Sequence, residues 1–415
     1  MSTLKKTITR WQGVGLIATT FLGTGVFILP QLTIASAGDW AVWTWGLLLL
    51  AILPLAWVFA ELGKRFSHSG GPAFFVQEAF GTRYGHIIGL MFLCAVPIGA
   101  PAALMMTLEF LKPLIALSPL QLVITQLGII ASLFLLNVRG LQLSGKLQLL
   151  LTLAIIGVVG AMLAALISSD VPTANNLVSV SSGGVMLAIS LAIWSFLGIE
   201  AITHLSAEFR DVKRDFVPAV LLGTVVVGLI YMLCTYLSML SPNTGSSEHL
   251  AIVDTFQLLI GNGGRWVIAV LGIVSGVATV NVYFASAARL AWVLSKDGVL
   301  PAKLNTLNNH GVPIKALMMV QCISALIILG AYLTSQPFEE MIKWVNGIFV
   351  VIYAVSMLAA WRLLNARHRP AVVTGLLVCV VFAVCLGISM IYAILLAAIL
   401  FIWLNLCPPV ATETA

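Results

Sequence analysis

Charge is what this sequence has least of. Only 9% of its 415 residues are Asp, Glu, Lys or Arg, against roughly a quarter in an ordinary soluble domain. A soluble fold cannot cover its surface with so few charges, which excludes a soluble enzyme. Disorder is excluded as well, because it needs low hydrophobicity and high charge, and 60% of this chain is hydrophobic. Also missing are a nucleotide-binding glycine loop, a zinc-type Cys/His cluster, a serine–histidine triad, low-complexity tracts and linkers. No cofactor, metal or nucleic-acid partner is therefore expected. The six cysteines, Cys94, Cys234, Cys322, Cys379, Cys385 and Cys407, lie within or beside apolar stretches. They read as buried thiols, not as a disulfide framework.

What remains is an all-α integral membrane protein. A spanning helix takes about 20 residues, and the apolar runs predict twelve spans: 12–36, 40–62, 85–111, 120–138, 147–168, 184–207, 216–240, 265–294, 316–334, 341–363, 371–388 and 391–406. Residues 371–406 carry no charge, with one turn signal between Gly387 and Met390. That length is too great for one span and sufficient for a tight hairpin. With the N-terminus inside, Lys112, Arg265 and Lys343 are the outer basic residues, and the rest of the 21 Lys and Arg fall in inner segments. This bias predicts that both termini face the cytoplasm. A cleavable leader is the rival for the first span, since Lys5, Lys6 and Arg10 precede an apolar core that ends at Ala35-Ser36-Ala37. The length of that run, its Pro30 and the charge pattern that cleavage would spoil favour a span.

The whole chain, 1–415, reads as one transmembrane domain. The inner segment Ser69-Gly70-Gly71-Pro72, followed by Ala73-Phe74-Phe75, is expected to re-enter the membrane partly. The outer segment 241–264 is expected to hold a short surface helix. A coarse symmetry is visible. Span 1 is interrupted by Gly23-Thr24-Gly25, and span 6 by Ser195-Phe196-Leu197-Gly198. Two broken helices five spans apart, running in opposite directions, predict an inverted-repeat transporter. The parts are 12–168 as the first repeat, 184–363 as the second and 371–406 as a C-terminal helix pair.

Each break carries a candidate site. Gly23, Thr24 and Gly25 let the helix unwind and the backbone approach a ligand. The freed N–H groups, with the dipole of a half-helix running from Val26, suit a carboxylate. Small residues also serve plain helix packing, and it is the second break that favours the ligand reading. At Ile193-Trp194-Ser195-Phe196-Leu197-Gly198, freed carbonyls suit an ammonium group, and Trp194 and Phe196 can either cover a small ligand or simply pack. Glu200 is the acidic residue nearest the middle of any span, and such a group is functional by default. His204 follows it by one turn, either as a proton-sharing partner or as an ordinary polar residue near the helix end. Span 3 offers Pro97-Ile98-Gly99-Ala100-Pro101, which should bend or loosen that helix and, with Pro97 and Ile98, line an apolar side-chain pocket. No second charge stands at mid-membrane to meet a charged side chain.

These two stretches, Gly23-Thr24-Gly25-Val26-Phe27 and Trp194-Ser195-Phe196-Leu197-Gly198-Ile199-Glu200, resemble the broken-helix motifs of the amino acid–polyamine–organocation superfamily. Ser69-Gly70-Gly71-Pro72 and Asp297-Gly298 with Pro301 stand where that family has similar elements. Within it the resemblance is greatest to bacterial exporters of L-methionine and branched-chain amino acids. It rests there on the compact length, on the span 3 stretch through Leu104 and on Gly198-Ile199-Glu200 followed by His204-Leu205-Ser206-Ala207-Glu208-Phe209. The resemblance implies a transporter of the bacterial inner membrane, not an enzyme. Its substrate would be a small neutral amino acid, and its surroundings the membrane lipid. Backbone N–H groups at Thr24 and Gly25 would take the carboxylate, and the carbonyls of Phe21, Trp194 and Leu197 the ammonium. Trp194 would act as a gate, beside Phe196 and Gly198. Glu200 would be proton-sensitive, a possible route to proton coupling. Some relatives place a lysine one turn after a threonine like Thr152; here that position, near Ile155, is apolar.

Overall fold

The computed structural model describes residues 8–23, 25–66, 71–112, 114–140, 145–168, 182–204, 206, 209–241, 250–261 and 263–406. Among these the regular elements are helices, and the extended pairing is a single parallel bridge between Ile8 and Phe209. In order the helices are α1 (Arg10–Leu22), α2 (Leu29–Ala37), α3 (Ala41–Arg65), α4 (Gly71–Phe80), α5 (Thr82–Glu109), α6 (Pro119–Val138), α7 (Gly145–Ile167) and α8 (Ser182–Ala192). They continue with α9 (Ile199–His204), α10 (Val217–Met239), α11 (Ala251–Leu259), α12 (Gly264–Lys296), α13 (Ile314–Leu333), α14 (Phe338–Leu363), α15 (Arg369–Leu386) and α16 (Met390–Leu406).

Among the described residues, nine helical runs are long and apolar enough to cross a membrane. Two of them, Leu29–Arg65 and Ala366–Leu406, each hold two helices joined through a 3-10 turn, at Gly38–Trp40 and Gly387–Ser389. Gly38 (φ 49°) and Gly387 (φ 52°) take the left-handed backbone that stops the first helix of each pair. A shorter apolar run spans Gly183–Phe196. The short helix α11 falls within 241–264, where a short helix was expected.

Local sequence explains the starts. Ser118 and Gln121 form a reciprocal cap on α6, with Gln121 Oε1 accepting the Ser118 N–H at 2.8 Å. Prolines stand in the first turns of α2, α6, α10 and α15, where a missing N–H is no loss. In α5, Pro97 and Pro101 do not interrupt the helix, contrary to the loosening expected of them. That helix is buried on nearly every side, packed by α4, α12, α13, α14 and α16, and these neighbours support it as one continuous helix through the gaps in its hydrogen bonding.

Helices inside a bilayer gain little from hydrophobic burial, so close backbone approach matters more. α12 meets α5 at Gly276, where a Cβ would overlap the Thr107 side chain. α10 packs on α1, α2 and α3, and the half-helices α2 and α8 lie together. α6, α13, α15 and α16 turn large apolar side chains outward, among them Leu135, Leu326, Leu377 and Ile399. Cys94, Cys234, Cys322, Cys379 and Cys385 are free thiols; Cys234 and Cys379 are buried as expected, but Cys94 and Cys385 are half-buried and Cys322 is exposed on α13. Cys407 lies outside the described residues.

Candidate functional site

The two breaks fall at glycines. α1 stops at Leu22, and Gly23 leaves the helical region at φ 19° and ψ −129°. Thr24 lies outside the described residues. The Gly25 carbonyl accepts the N–H groups of Ile28 (3.1 Å) and Leu29 (2.9 Å), which winds a tight turn ahead of α2. The second half-helix therefore begins at Leu29, three residues beyond the Val26 start that the glycine pattern suggested. In the other break, α8 passes into a 3-10 turn over Ile193–Phe196, and Leu197 is extended at φ −68° and ψ 134°. Gly198 then takes φ 112°, which suits no L side chain, and α9 follows. A Cβ at Gly198 would also sit 2.8 Å from Thr20 Cγ2, so this break packs directly on α1.

Side chains from other helices tie the breaks down. Tyr231 of α10 donates its hydroxyl to the Phe21 carbonyl at 3.2 Å, and its ring stacks on Trp45 at 4.5 Å. Ser275 of α12 donates to the Gly23 carbonyl at 3.0 Å. Phe21 and Phe196 meet edge to face at 5.8 Å, joining the two breaks. Glu200 is 1% exposed. Its Oε2 accepts the Gly198 N–H at 3.1 Å and the Tyr353 hydroxyl from α14. One carboxyl thus holds the left-handed turn and ties α9 to α14.

Two cavities adjoin this arrangement. The larger, about 170 Å³, touches Thr19, Thr20, Gly23, Phe92, Leu151, Thr152, Ile155, Glu200, Ser275, Ala278, Thr279, Val282, Tyr283 and Ser286. Its wall mixes hydroxyls with apolar groups, and within it Thr152 donates to Thr19 at 3.0 Å. The smaller, about 30 Å³, is lined by Ala95, Val96, Gly99, Ala100, Trp194, Leu197, Tyr283, Val345 and Phe349. Tyr283 borders both.

The expected residues divide accordingly. Gly23 and Glu200 border the larger cavity, and Trp194 and Leu197 the smaller. Phe21 and Phe196 are buried in the packing between the breaks and line neither. Pro97 and Ile98 are also buried and line neither cavity, because the α5 face that turns inward carries Val96, Gly99 and Ala100. Gly198 shapes the turn. His204 ends α9, and its side chain lies outside the described residues. The carbonyls of Phe21 and Trp194 are each already engaged, by Tyr231 and by the Leu197 N–H (3.2 Å), with one lone pair remaining. Tyr231, Tyr283, Tyr353 and Ser275 were not among the expected site residues. The available signal was a tyrosine within an apolar span, whose hydroxyl must find a partner when buried.

The sequence model for amino acid permeases matches residues 8–413. The chain belongs to the amino acid permease family. This permease is 33% identical over 412 residues to the L-methionine/branched-chain amino acid exporter YjeH of Escherichia coli strain K12, covering 97% of both chains. It is 26% identical to YecA, an uncharacterized amino acid permease of Bacillus subtilis strain 168, over 88% of this chain and 87% of that one. Identity to the cadaverine/lysine antiporter of Escherichia coli strain K12 is 24%, over 92% of this chain and 89% of the relative. The permease is accordingly a multi-pass membrane transporter of the amino acid–polyamine–organocation superfamily, not an enzyme, and its substrates are amino acids.

Proposed function

We propose that the chain is a secondary active transporter that exports neutral apolar L-amino acids, methionine, leucine, isoleucine and valine, by alternating access. The observation that carries this reading is the composition of the cavity walls. Among the described residues neither cavity is lined by a lysine or arginine, and Glu200 is the acid present. Such walls suit a zwitterion whose two charges are met by backbone groups at the breaks and whose side chain is apolar. The N–H groups of Thr24 and Gly25 take the carboxylate. The carbonyls of Phe21, Trp194 and Leu197 take the ammonium, Phe21 and Trp194 through their remaining lone pairs. The side chain reaches toward the small cavity beside Gly99, where Trp194 acts as the gate. Similarity to an exporter of methionine and branched-chain amino acids supports the same substrate class.

In this account the chain crosses the bacterial inner membrane twelve times, as two inverted five-span repeats and a C-terminal pair, with both termini in the cytoplasm. The larger cavity then lies beside the α1–α2 break, between the end of α1, the inner half of α7 and the middle of α12, and extends toward the cytoplasm along Leu151 and Thr152. That is where an exporter loads. Glu200, with His204 on the following turn, is the group through which a proton gradient couples to the cycle. An importer or exchanger on the same fold is the alternative, and similarity to an antiporter keeps it in view.

Efflux from cells preloaded with labelled methionine, with and without a proton gradient, tests the proposal. Efflux above that of cells lacking the protein is expected, with competition by leucine, isoleucine and valine but not by lysine or glutamate. Competition by lysine at concentrations similar to methionine would refute the apolar site. Uptake without efflux would turn the assignment to an importer.

A further inference from the structure

A second site lies at the lysine- and arginine-rich end of the bundle, away from both cavities. Here the C-terminus of α4, the N-terminus of α5, the C-terminus of α14 and the last turns of α16 come together. Arg83 stands in the first turn of α5. Its Nε and Nη2 are buried and meet no hydrogen-bond acceptor. Its guanidinium lies over the Phe401 ring at 5.3 Å. Arg362, at the end of α14, lies over Phe80 at 4.6 Å and donates from Nη1 to the Ala79 carbonyl at 3.0 Å. Tyr84 fills the space between, 6.3 Å from Phe80 and 6.5 Å from Phe401. Two guanidinium groups and three rings thus form one continuous run.

Two buried guanidinium nitrogens without acceptors at the edge of a bilayer are costly, and contact with a ring offsets only part of that cost. A guanidinium fork matches phosphate in shape and charge. The first turn of α5 adds the positive end of a helix dipole. The acidic residue on these segments is Glu78 of α4, which is exposed. Tyr84, Trp361, Phe401 and Trp403 are exposed aromatics of the kind that settle at headgroup level. The α16 surface leading away from the cluster is apolar, with Leu395, Ile399 and Ile402 exposed. A free anion would leave that surface unused; a lipid covers it.

We propose that this cluster binds the phosphate of an anionic phospholipid, held by Arg83 and Arg362, with the lipid's apolar part laid along α16. Arg83 reaches the phosphate by sliding off the Phe401 ring, whose outer edge is exposed. Native mass spectrometry of the detergent-solubilised full chain tests this with phosphatidylglycerol, phosphatidylcholine and inorganic phosphate. Phosphatidylglycerol should be retained in preference to phosphatidylcholine. Arg83→Gln and Arg362→Gln should each weaken its retention about tenfold, leaving phosphatidylcholine unchanged. Should Arg83→Gln fail to fold, Arg362→Gln, whose side chain is exposed, carries the same expectation. Equal retention of both lipids, or wild-type retention in the variants that fold, would overturn the proposal. So would retention of inorganic phosphate that phosphatidylglycerol does not displace, which would make the site one for a free anion.

Discussion

The α1–α2 break is held by donors reaching in from other helices, whereas the α8–α9 break is held by an acceptor from its own next turn. In the first, the carbonyls of Phe21 and Gly23 are met by Tyr231 of α10 and Ser275 of α12. In the second, the Gly198 N–H is met by Glu200 two residues on, and Tyr353 of α14 meets the same carboxyl. Interrupting a helix inside a bilayer leaves backbone groups that water cannot satisfy. The first break spreads that task over neutral hydroxyls. The second concentrates it on one ionisable group. The second should therefore be the more fragile, and the one that responds to pH.

Backbone changes offer the strongest contrast. Gly198→Ala forces a side chain into a left-handed conformation and against Thr20. Transport should fall to background, measured as labelled methionine efflux at matched protein level. At Gly25 a Cβ would lie 2.6 Å from the flexible end of Leu29 and 2.9 Å from the Tyr231 hydroxyl. Gly25→Ala should keep partial activity, because Leu29 can yield. Gly25→Val, with a stiff branched side chain, should abolish transport while the protein still inserts. Normal efflux from well-expressed Gly25→Val would remove the carboxylate site from this break.

Next come the hydroxyls. Tyr353→Phe deprives a buried carboxyl of a donor, a loss of about 1.5–3 kcal/mol for a charged partner. Tyr231→Phe removes a donor from a neutral carbonyl, worth about 0.5–1.5 kcal/mol. Thermal unfolding in detergent should show the larger drop for Tyr353→Phe; the reverse order would undo the contrast between the breaks. Ser275→Ala should have the smallest effect, less than Tyr231→Phe, because the Ser275 hydroxyl borders the larger cavity whereas Tyr231 is fully buried. Its signature should be a raised KM for methionine with little change in unfolding temperature.

The residues differ in how readable they were. Spans could be marked because apolar runs bounded by Lys, Arg, Pro and Gly map onto helix length, and Gly38 and Gly387 end helices as such glycines do. Gly23 and Gly198 stand where helices stop because no other residue takes those backbone shapes cheaply. What linear spacing does not reveal is which face of a helix turns inward. Pro97 and Ile98 looked like pocket residues, yet Val96, Gly99 and Ala100 hold the inward face. Phe196 looked like a cover and is instead wedged between Phe21 and Tyr231. Val26 looked like a helix start, but the Gly25 carbonyl captures the next two N–H groups it can reach and delays α2 to Leu29. The tyrosine partners depend on contacts between residues such as Glu200 and Tyr353, 153 positions apart. With only seven tyrosines in the chain, those within spans were nonetheless a usable sign.

The pH profile of Glu200→Gln tests most directly whether one carboxyl governs the α8–α9 break. Tyr353 of α14 and Tyr283 of α12 are titratable groups that face Glu200. Glutamine keeps the size and can still accept from the Gly198 N–H and the Tyr353 hydroxyl, but it does not titrate. Labelled methionine efflux would be measured from roughly pH 5.5 to 8, beside methionine binding to the purified protein. The account predicts near-normal binding, slower efflux and a flattened response to pH. A wild-type pH profile at near-normal rates would contradict it and leave Glu200 as a brace for the turn alone.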